Sequence, residues 1–216
     1  MKAGIITFPG SNCDKDIGEI LQKQFHLDTN YIWHRESFAL DYDLLVLPGG
    51  FSYGDYLRSG AIARFSNAMR SLQNHVNSGR KVLGICNGFQ ILTESHLLPG
   101  ALVRNTNMKY ICKTVNLTVD ANHPLSQKLH STSLAIPIAH SEGRYHADED
   151  TLKQLRDECR VLFRYQENPN GSIDDIAGIT SQDHKVLGMM PHPERAADTI
   201  SKNMTGKAII KAFIES

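Results

Sequence analysis

The segment KVLGICNGFQIL, residues 81–92, constrains this chain more than any other. Its first half is a short apolar run of the kind that forms a buried strand, and its second half carries the apolar spacing of a helix. Between them sits Cys86, with Gly84 and Gly88 two positions away on either side. A strand that turns straight into a helix needs small residues there, because a Cβ would strike the neighbouring chain. Such a turn holds its central side chain clear of the sheet, at the sheet's C-terminal edge. The helix that follows offers free backbone N–H groups and the positive end of its dipole, both of which favour thiolate over thiol. An unpaired cysteine is ordinarily a small core residue. That explanation has no use for the two glycines, so Cys86 is the candidate nucleophile.

Around this turn, short β-type runs alternate with helical patterns. Residues 3–8, 30–33, 44–47 and 82–85 read as strands; residues 13–25, with Ile17, Ile20, Leu21 and Phe25 on one face, and 61–77 read as helices. This alternation predicts an α/β fold, an open and mostly parallel sheet flanked by helices, flavodoxin-like in class. Beyond about residue 100 the pattern changes: Val115, Leu117 and Val119 alternate with polar residues, and 161–165 and 176–179 look similar. This half predicts an antiparallel extension, then a strand over 186–190 and a C-terminal helix over 206–214. No repeat or linker interrupts the 216 residues, so a single domain, 1–216, with a core of its own is expected.

Charge and cysteine usage narrow the function classes. Lys plus Arg and Asp plus Glu both total 23, and no basic stripe stands out, which argues against a nucleic-acid or membrane-surface role. Cys13, Cys86, Cys112 and Cys159 form no C-x-x-C pair, so neither a metal site nor a disulfide framework is expected. The opening MKAGIITFPGSNCD has too short an apolar run for a signal peptide, and no run approaches a membrane span. A soluble, cytoplasmic enzyme with reduced thiols is the expectation.

A nucleophilic thiol needs a base. Of ten histidines, His75 falls in a helix turn read as solvent-facing and His123, before Pro124, in a loop. His192 differs: it lies in MMPHPERA, just past the strand over 186–190, where an open α/β sheet presents its active edge. Pro191 and Pro193 restrict the backbone on both sides, and Glu194, two residues on, is placed to accept a hydrogen bond from the imidazole and fix its tautomer. A third element, LLVLPGG, ends a strand in Pro48-Gly49-Gly50. Its bare amides at the same edge are natural partners for the Asn87 N–H in an oxyanion hole.

Taken together, PGG at residues 48–50, G-x-C-x-G-x-Q at 84–90 and H-P-E at 192–194 resemble the triad, class I, glutamine amidotransferases. Within them, FPGSNCDKD, GGFSYGDYLRSGAIAR, RNTNMKYICK, AHSEGRY, NPNGSIDDIAGI and MMPHPER are similar to the glutaminase subunits of phosphoribosylformylglycinamidine synthases, nearly from end to end. The resemblance implies that Cys86 attacks the side-chain amide of L-glutamine, His192 shuttles protons and Glu194 orients His192. It implies that the amides of Gly50 and Asn87 stabilise the oxyanion, and that Gln90 and Gly49 help hold the substrate. His140 and Glu142, in AHSEGRY, are further candidates; Ser141 between them stands where a glycine is expected. Arg58 and Asp55 read equally as facing a partner or as a solvated loop. The resemblance further implies a hetero-oligomer with a separate synthetase subunit, which uses ATP and Mg, and a small accessory subunit. This chain would carry no cofactor, and it lacks G-x-x-x-x-G-K-[ST].

Two other classes remain open on the residues alone. A cysteine hydrolase or chaperone of flavodoxin-like fold also carries a thiol at such a turn, but has no need of H-P-E downstream or of Gln90. A non-catalytic scaffold has no need of Cys86, His192 and Glu194 together. Glutaminases for other acceptors share the triad, so only the family-specific stretches point to purine synthesis.

Overall fold

The computed structural model describes residues 1–129, 133–197 and 203–216. Strand β1 (Lys2–Thr7) leads through helix α1 (Asp14–Phe25) to β2 (Asp28–Trp33) and β3 (Leu44–Leu47). Helix α2 (Asn67–Asn77) and β4 (Lys81–Ile85) follow, and only Cys86 separates β4 from α3 (Asn87–Glu94). The second half runs β5 (Ala101–Val103), β6 (Ile111–Val119), β7 (Ser133–His140), β8 (Arg144–His146), α4 (Glu149–Asp157), β9 (Val161–Tyr165), β10 (Ile176–Thr180), β11 (Val186–Met189) and α5 (Thr205–Ile214).

Nine strands form one sheet in the order β2-β1-β3-β4-β11-β10-β9-β6-β7, and β5 pairs with β8 apart from it. The first five are mutually parallel, β2 through β11. The remaining four add on antiparallel. The expected parallel sheet with an antiparallel extension is therefore present, five strands parallel and four added antiparallel. The consequential pairing is β11 with β4, register Val186↔Val82 to Met189↔Ile85. It brings the residues after Met189 beside the residue after Ile85.

The central strands are apolar because both faces are covered: every residue of β3 is fully buried, as are Val82 and Ile85 of β4 and Leu187 and Met189 of β11. Each such side chain contributes about 1.5–3 kcal/mol by leaving water.

Several sequence expectations shift. The helix expected over 61–77 is two pieces, a 3₁₀ turn at Ala63–Phe65 and α2, because Ser66 adopts extended backbone and its hydroxyl accepts from the Met69 N–H as an N-cap. His75 is fully buried rather than solvent-facing. It shares the inward face of α2 with Ala68 and Leu72, and its Nε2 meets the Lys81 carbonyl. His123 caps a 3₁₀ turn at Pro124–Lys128, its ring accepting from the Leu125 N–H. Helix α4 has no counterpart in the sequence reading; Asp148 caps it through the Thr151 N–H.

The two glycines around Cys86 are required by packing. A Cβ on Gly88 would lie 2.0 Å from the Leu47 carbonyl oxygen, and one on Gly84 2.4 Å from Leu92 Cδ1 and 2.9 Å from the Gly88 backbone. The Gly88 clash is with backbone and has no side-chain escape. Gly88→Ala is expected to cost about 3 kcal/mol or more in urea unfolding; a loss within 0.5 kcal/mol, about the scale of a surface substitution, would contradict the close approach of α3 to β3.

Candidate active site

Cys86 occupies the one-residue turn between β4 and α3 with φ 50° and ψ −104°. A non-glycine residue there costs on the order of 1–3 kcal/mol, and β4, α3 and β3 hold it. The turn is pinned at both ends, with the Cys86 N–H on the Met189 carbonyl and the Gln90 N–H on the Cys86 carbonyl. The thiol points toward the Ala139 carbonyl, 3.7 Å away.

His192 arrives from the end of β11, its N–H bonded to the Pro137 carbonyl. Its Nδ1 and Glu194 Oε1 are 2.6 Å apart, with both residues buried, 2% and 3% exposed. Burial pushes the imidazole toward the neutral form, but the charges of Glu194 and Cys86 outweigh it. The pKa of His192 is raised well above 6.5. Its Nε2 has no hydrogen-bond partner among the described residues. Cys86, His192 and Glu194 thus come together as expected.

Cys86 and His192 line one small pocket with Asn12, Cys13, Gly50, Phe51, Tyr110, Ala139 and Arg195. Its volume, about 30 Å³, holds a water or two and no amino-acid side chain. A substrate side chain therefore needs an exposed lining residue to move, and Phe51 and Tyr110 are 40% and 50% exposed. A larger hollow of about 420 Å³ under Phe65 and Arg70 shares no lining residue with it and holds neither the thiol nor its base.

The Gly50 and Asn87 N–H groups, expected as oxyanion donors, are not spent on other described backbone acceptors. The Gly50 N–H bonds to no acceptor among the described residues, and Asn87 opens α3, so its N–H has no intrahelical acceptor. The Gly49-Gly50 loop is tied to the segment before α1: Ser11 bridges Gly50, the Phe51 N–H donates to the Gly10 carbonyl, and the Asn12 and Cys13 N–H groups donate to the Gly49 carbonyl.

The outer candidates fall differently. Gly49 packs behind His192 rather than lining the pocket; a Cβ there would sit 2.7 Å from His192 Cε1. The Gln90 side chain is engaged at both ends, accepting from Asn87 Nδ2 and donating to the Glu142 carbonyl. Asn87 Oδ1 accepts from the Ser52 N–H, so this buried chain braces the oxyanion loop. His140 is buried on Asn105 Oδ1, and burial, with the nearby His192 charge, lowers its pKa to about 4. It stands as a neutral wall. Glu142 turns away from the thiol to accept from the Ser59 N–H and hydroxyl. Ser141 has no positive φ, so a side chain is unstrained there. Arg58 pairs with Glu94 through two hydrogen bonds.

Sequence reasoning missed Asn12, Cys13, Tyr110 and Arg195 as pocket residues. Cys13 Sγ, a His192 ring nitrogen and a Glu194 oxygen lie within 4.8 Å of one another, near enough to suit a soft cation. Arg195 Nη2, 3.1 Å from Cys13 Sγ, puts a positive charge against that use. Beside the oxyanion loop, Tyr53, Gly54, Asp55 and Leu57 all have positive φ, and Tyr56 and Leu57 are 74% and 87% exposed.

The family model of the CobB/CobQ-like glutamine amidotransferase domain matches residues 1–213. The chain is 56% identical to phosphoribosylformylglycinamidine synthase subunit PurQ of Leptospira interrogans serovar copenhageni, with 100% of both chains covered. It superposes on a chain of the PurLQS structure from Thermotoga maritima with a TM-score of 0.89 at 38% identity, covering 99% of this chain and 97% of that one. A second Thermotoga maritima protein, a glutamine amidotransferase, shares the fold at 18% identity and a TM-score of 0.62, covering 100% and 83%.

Burial raises the Asp55 carboxyl to about 6, helped by the Glu142 charge and opposed by Ser59. A folded pKa above the unfolded value makes its stabilisation complete below about pH 4 and lost as pH rises through 6. Asp55→Asn is therefore expected to raise the urea midpoint at pH 7.5 and leave it unchanged below pH 4; equal midpoints at pH 7.5 would contradict this placement.

Proposed function

Because the chain belongs to the CobB/CobQ-like glutamine amidotransferase domain family, we propose that Cys86, His192 and Glu194 are the triad with which it takes ammonia from L-glutamine. It is a glutaminase that serves phosphoribosylformylglycinamidine synthase in de novo purine biosynthesis, working with a synthetase subunit and an accessory subunit. The observation that carries the triad is the fully buried 2.6 Å contact of His192 with Glu194, beside a thiol held at positive φ in the same pocket.

The Cys86 thiolate attacks the side-chain amide carbon of glutamine, and the negative charge that develops on the oxygen is met by the Gly50 and Asn87 N–H groups. The His192 imidazolium, held charged by Glu194, gives its proton to the departing nitrogen as the C–N bond breaks. Ammonia leaves and a γ-glutamyl thioester remains. Neutral His192 then takes a proton from water, whose oxygen attacks the thioester, and glutamate and the thiolate are released.

Ammonia needs a covered route to the synthetase, which consumes ATP to aminate formylglycinamide ribonucleotide. The exposed Phe51 and Tyr110 at the pocket mouth, with Tyr56 and Leu57 on the adjoining loop, supply apolar surface for that partner. No described helix is long and apolar enough to cross a membrane.

In the assembled complex, Cys86→Ser is expected to lower glutamine-dependent synthesis by about 10³-fold or more while ammonia-dependent synthesis continues. Glu194→Gln is expected to lower glutamine turnover by about 10²–10⁴-fold with little change in glutamine KM. Glutamine-dependent synthesis that survives Cys86→Ser would sink the assignment.

A further inference from the structure

The Cys13 thiol stands where three segments of the site meet. It is 2% exposed and is the residue on which α1 begins. Its Sγ donates to Asn12 Oδ1 at 3.1 Å and accepts from Arg195 Nη2 at 3.1 Å. Arg195 follows Glu194 directly, and its Nε faces Asp16 at 3.6 Å, on the first turn of α1. The missing side chain of Gly49 admits both neighbours: a Cβ there would lie 3.1 Å from Cys13 Sγ and 2.7 Å from His192 Cε1.

The backbone around Cys13 is zipped to the oxyanion loop. Besides the Asn12 and Cys13 N–H groups on the Gly49 carbonyl, the Tyr53 N–H donates to the Pro9 carbonyl at 2.6 Å. The Ser11 hydroxyl folds the strap back on itself by accepting from the Phe8 N–H. One buried sulfur therefore touches the strap over residues 9–13, the loop that carries Gly50 and the turn that carries His192 and Glu194. Cys13 is not a second nucleophile: it sits on no strand-to-helix turn, and its sulfur is already engaged on two sides.

We propose that Cys13 is a positioning residue for the glutaminase reaction, which through Arg195 and Gly49 keeps the His192 imidazole in register with the oxyanion loop. The proposal rests on the triad reading above. Alanine would remove the link between Asn12 and Arg195 and open a void beside the imidazole.

The thiol also bears on protonation. His192 faces Glu194 and Arg195 from its own turn, Cys86 from the turn after β4, His140 from β7, Tyr110 from the pocket mouth, and Cys13 from the strap. Cys13 Sγ, within 4.8 Å of a His192 ring nitrogen, favours the imidazolium, so its removal lowers the pKa of His192. The alkaline limb of the kcat profile, set by loss of the imidazolium proton, then moves to lower pH.

The test uses the assembled complex of this chain with its synthetase and accessory subunits, carrying Cys13→Ala, Cys13→Ser or Arg195→Gln. Glutamine-dependent and ammonia-dependent rates are followed across pH. Cys13→Ala and Arg195→Gln are expected to lower glutamine-dependent kcat about tenfold to a hundredfold, the scale of a small misplacement of catalytic groups. Glutamine KM should stay within about twofold, the alkaline limb of Cys13→Ala should move down, and ammonia-dependent synthesis should be unchanged. Cys13→Ser should recover most of the loss. Wild-type kcat and pH profile in Cys13→Ala would overturn the proposal. So would a loss that simply follows the fall in melting temperature and vanishes on cooling, which is the signature of a packing residue. Failure of the triad reading would appear separately, as activity surviving Cys86→Ser.

Discussion

The site depends on one close approach, that of Gly88 at the start of α3 to the Leu47 carbonyl at the end of β3. With no side chain between them, the helix begins tight against the sheet, and the single residue left for the turn, Cys86, must take φ 50°. That strained backbone is held by the N–H to Met189 and the carbonyl to Gln90. The same geometry brings the first N–H of α3 up beside the thiol. Steric necessity and the proposed catalytic use have one origin here: the packing that allows no Cβ at Gly88 also sets the angle at which the sulfur leaves the sheet.

Topology supplies the partners. Strands β3, β4 and β11 lie side by side and parallel, so their C-terminal ends share an edge, and each end delivers one component. The first gives the oxyanion loop, the second the thiol and the third the His192 turn. The strap after β1 adds a fourth, because β1 pairs with β3 and ends at the same edge. A buried polar braid, Ser52 to Asn87 to Gln90 to the Glu142 carbonyl, ties the oxyanion loop to the turn after β7. The Ser52 N–H and the Asn87 and Gln90 side chains are all paired in this braid, which stiffens the site.

The proposed triad was legible in the sequence because each member has a local signature: glycines around Cys86, and prolines around His192 with Glu194 two residues on. The parallel half of the sheet was legible for a similar reason, since strands buried on both faces read as continuous apolar runs. What escaped was non-local. Cys13 looked like one of four scattered thiols, and only the pairing of β1 with β3 sets it against Gly49. Arg195 carries no signal until α1 is placed beside it. The break in the helix before α2 turned on the extended backbone of Ser66, whose capping role is invisible within an otherwise helical pattern. His75 was the avoidable error: Ala68, Leu72 and His75 share one face by spacing alone.

The central claim is that one thiol, strained into place and served by His192, forms a covalent bond to the side-chain carbon of glutamine. The most direct measurement is mass spectrometry of the intact wild-type chain, with its partners present, after exposure to the glutamine analogue diazo-oxonorleucine, followed by peptide mapping. One adduct per chain, on the peptide that contains Cys86, is the expected result. An adduct on Cys13, Cys112 or Cys159, or none at all, would contradict the account.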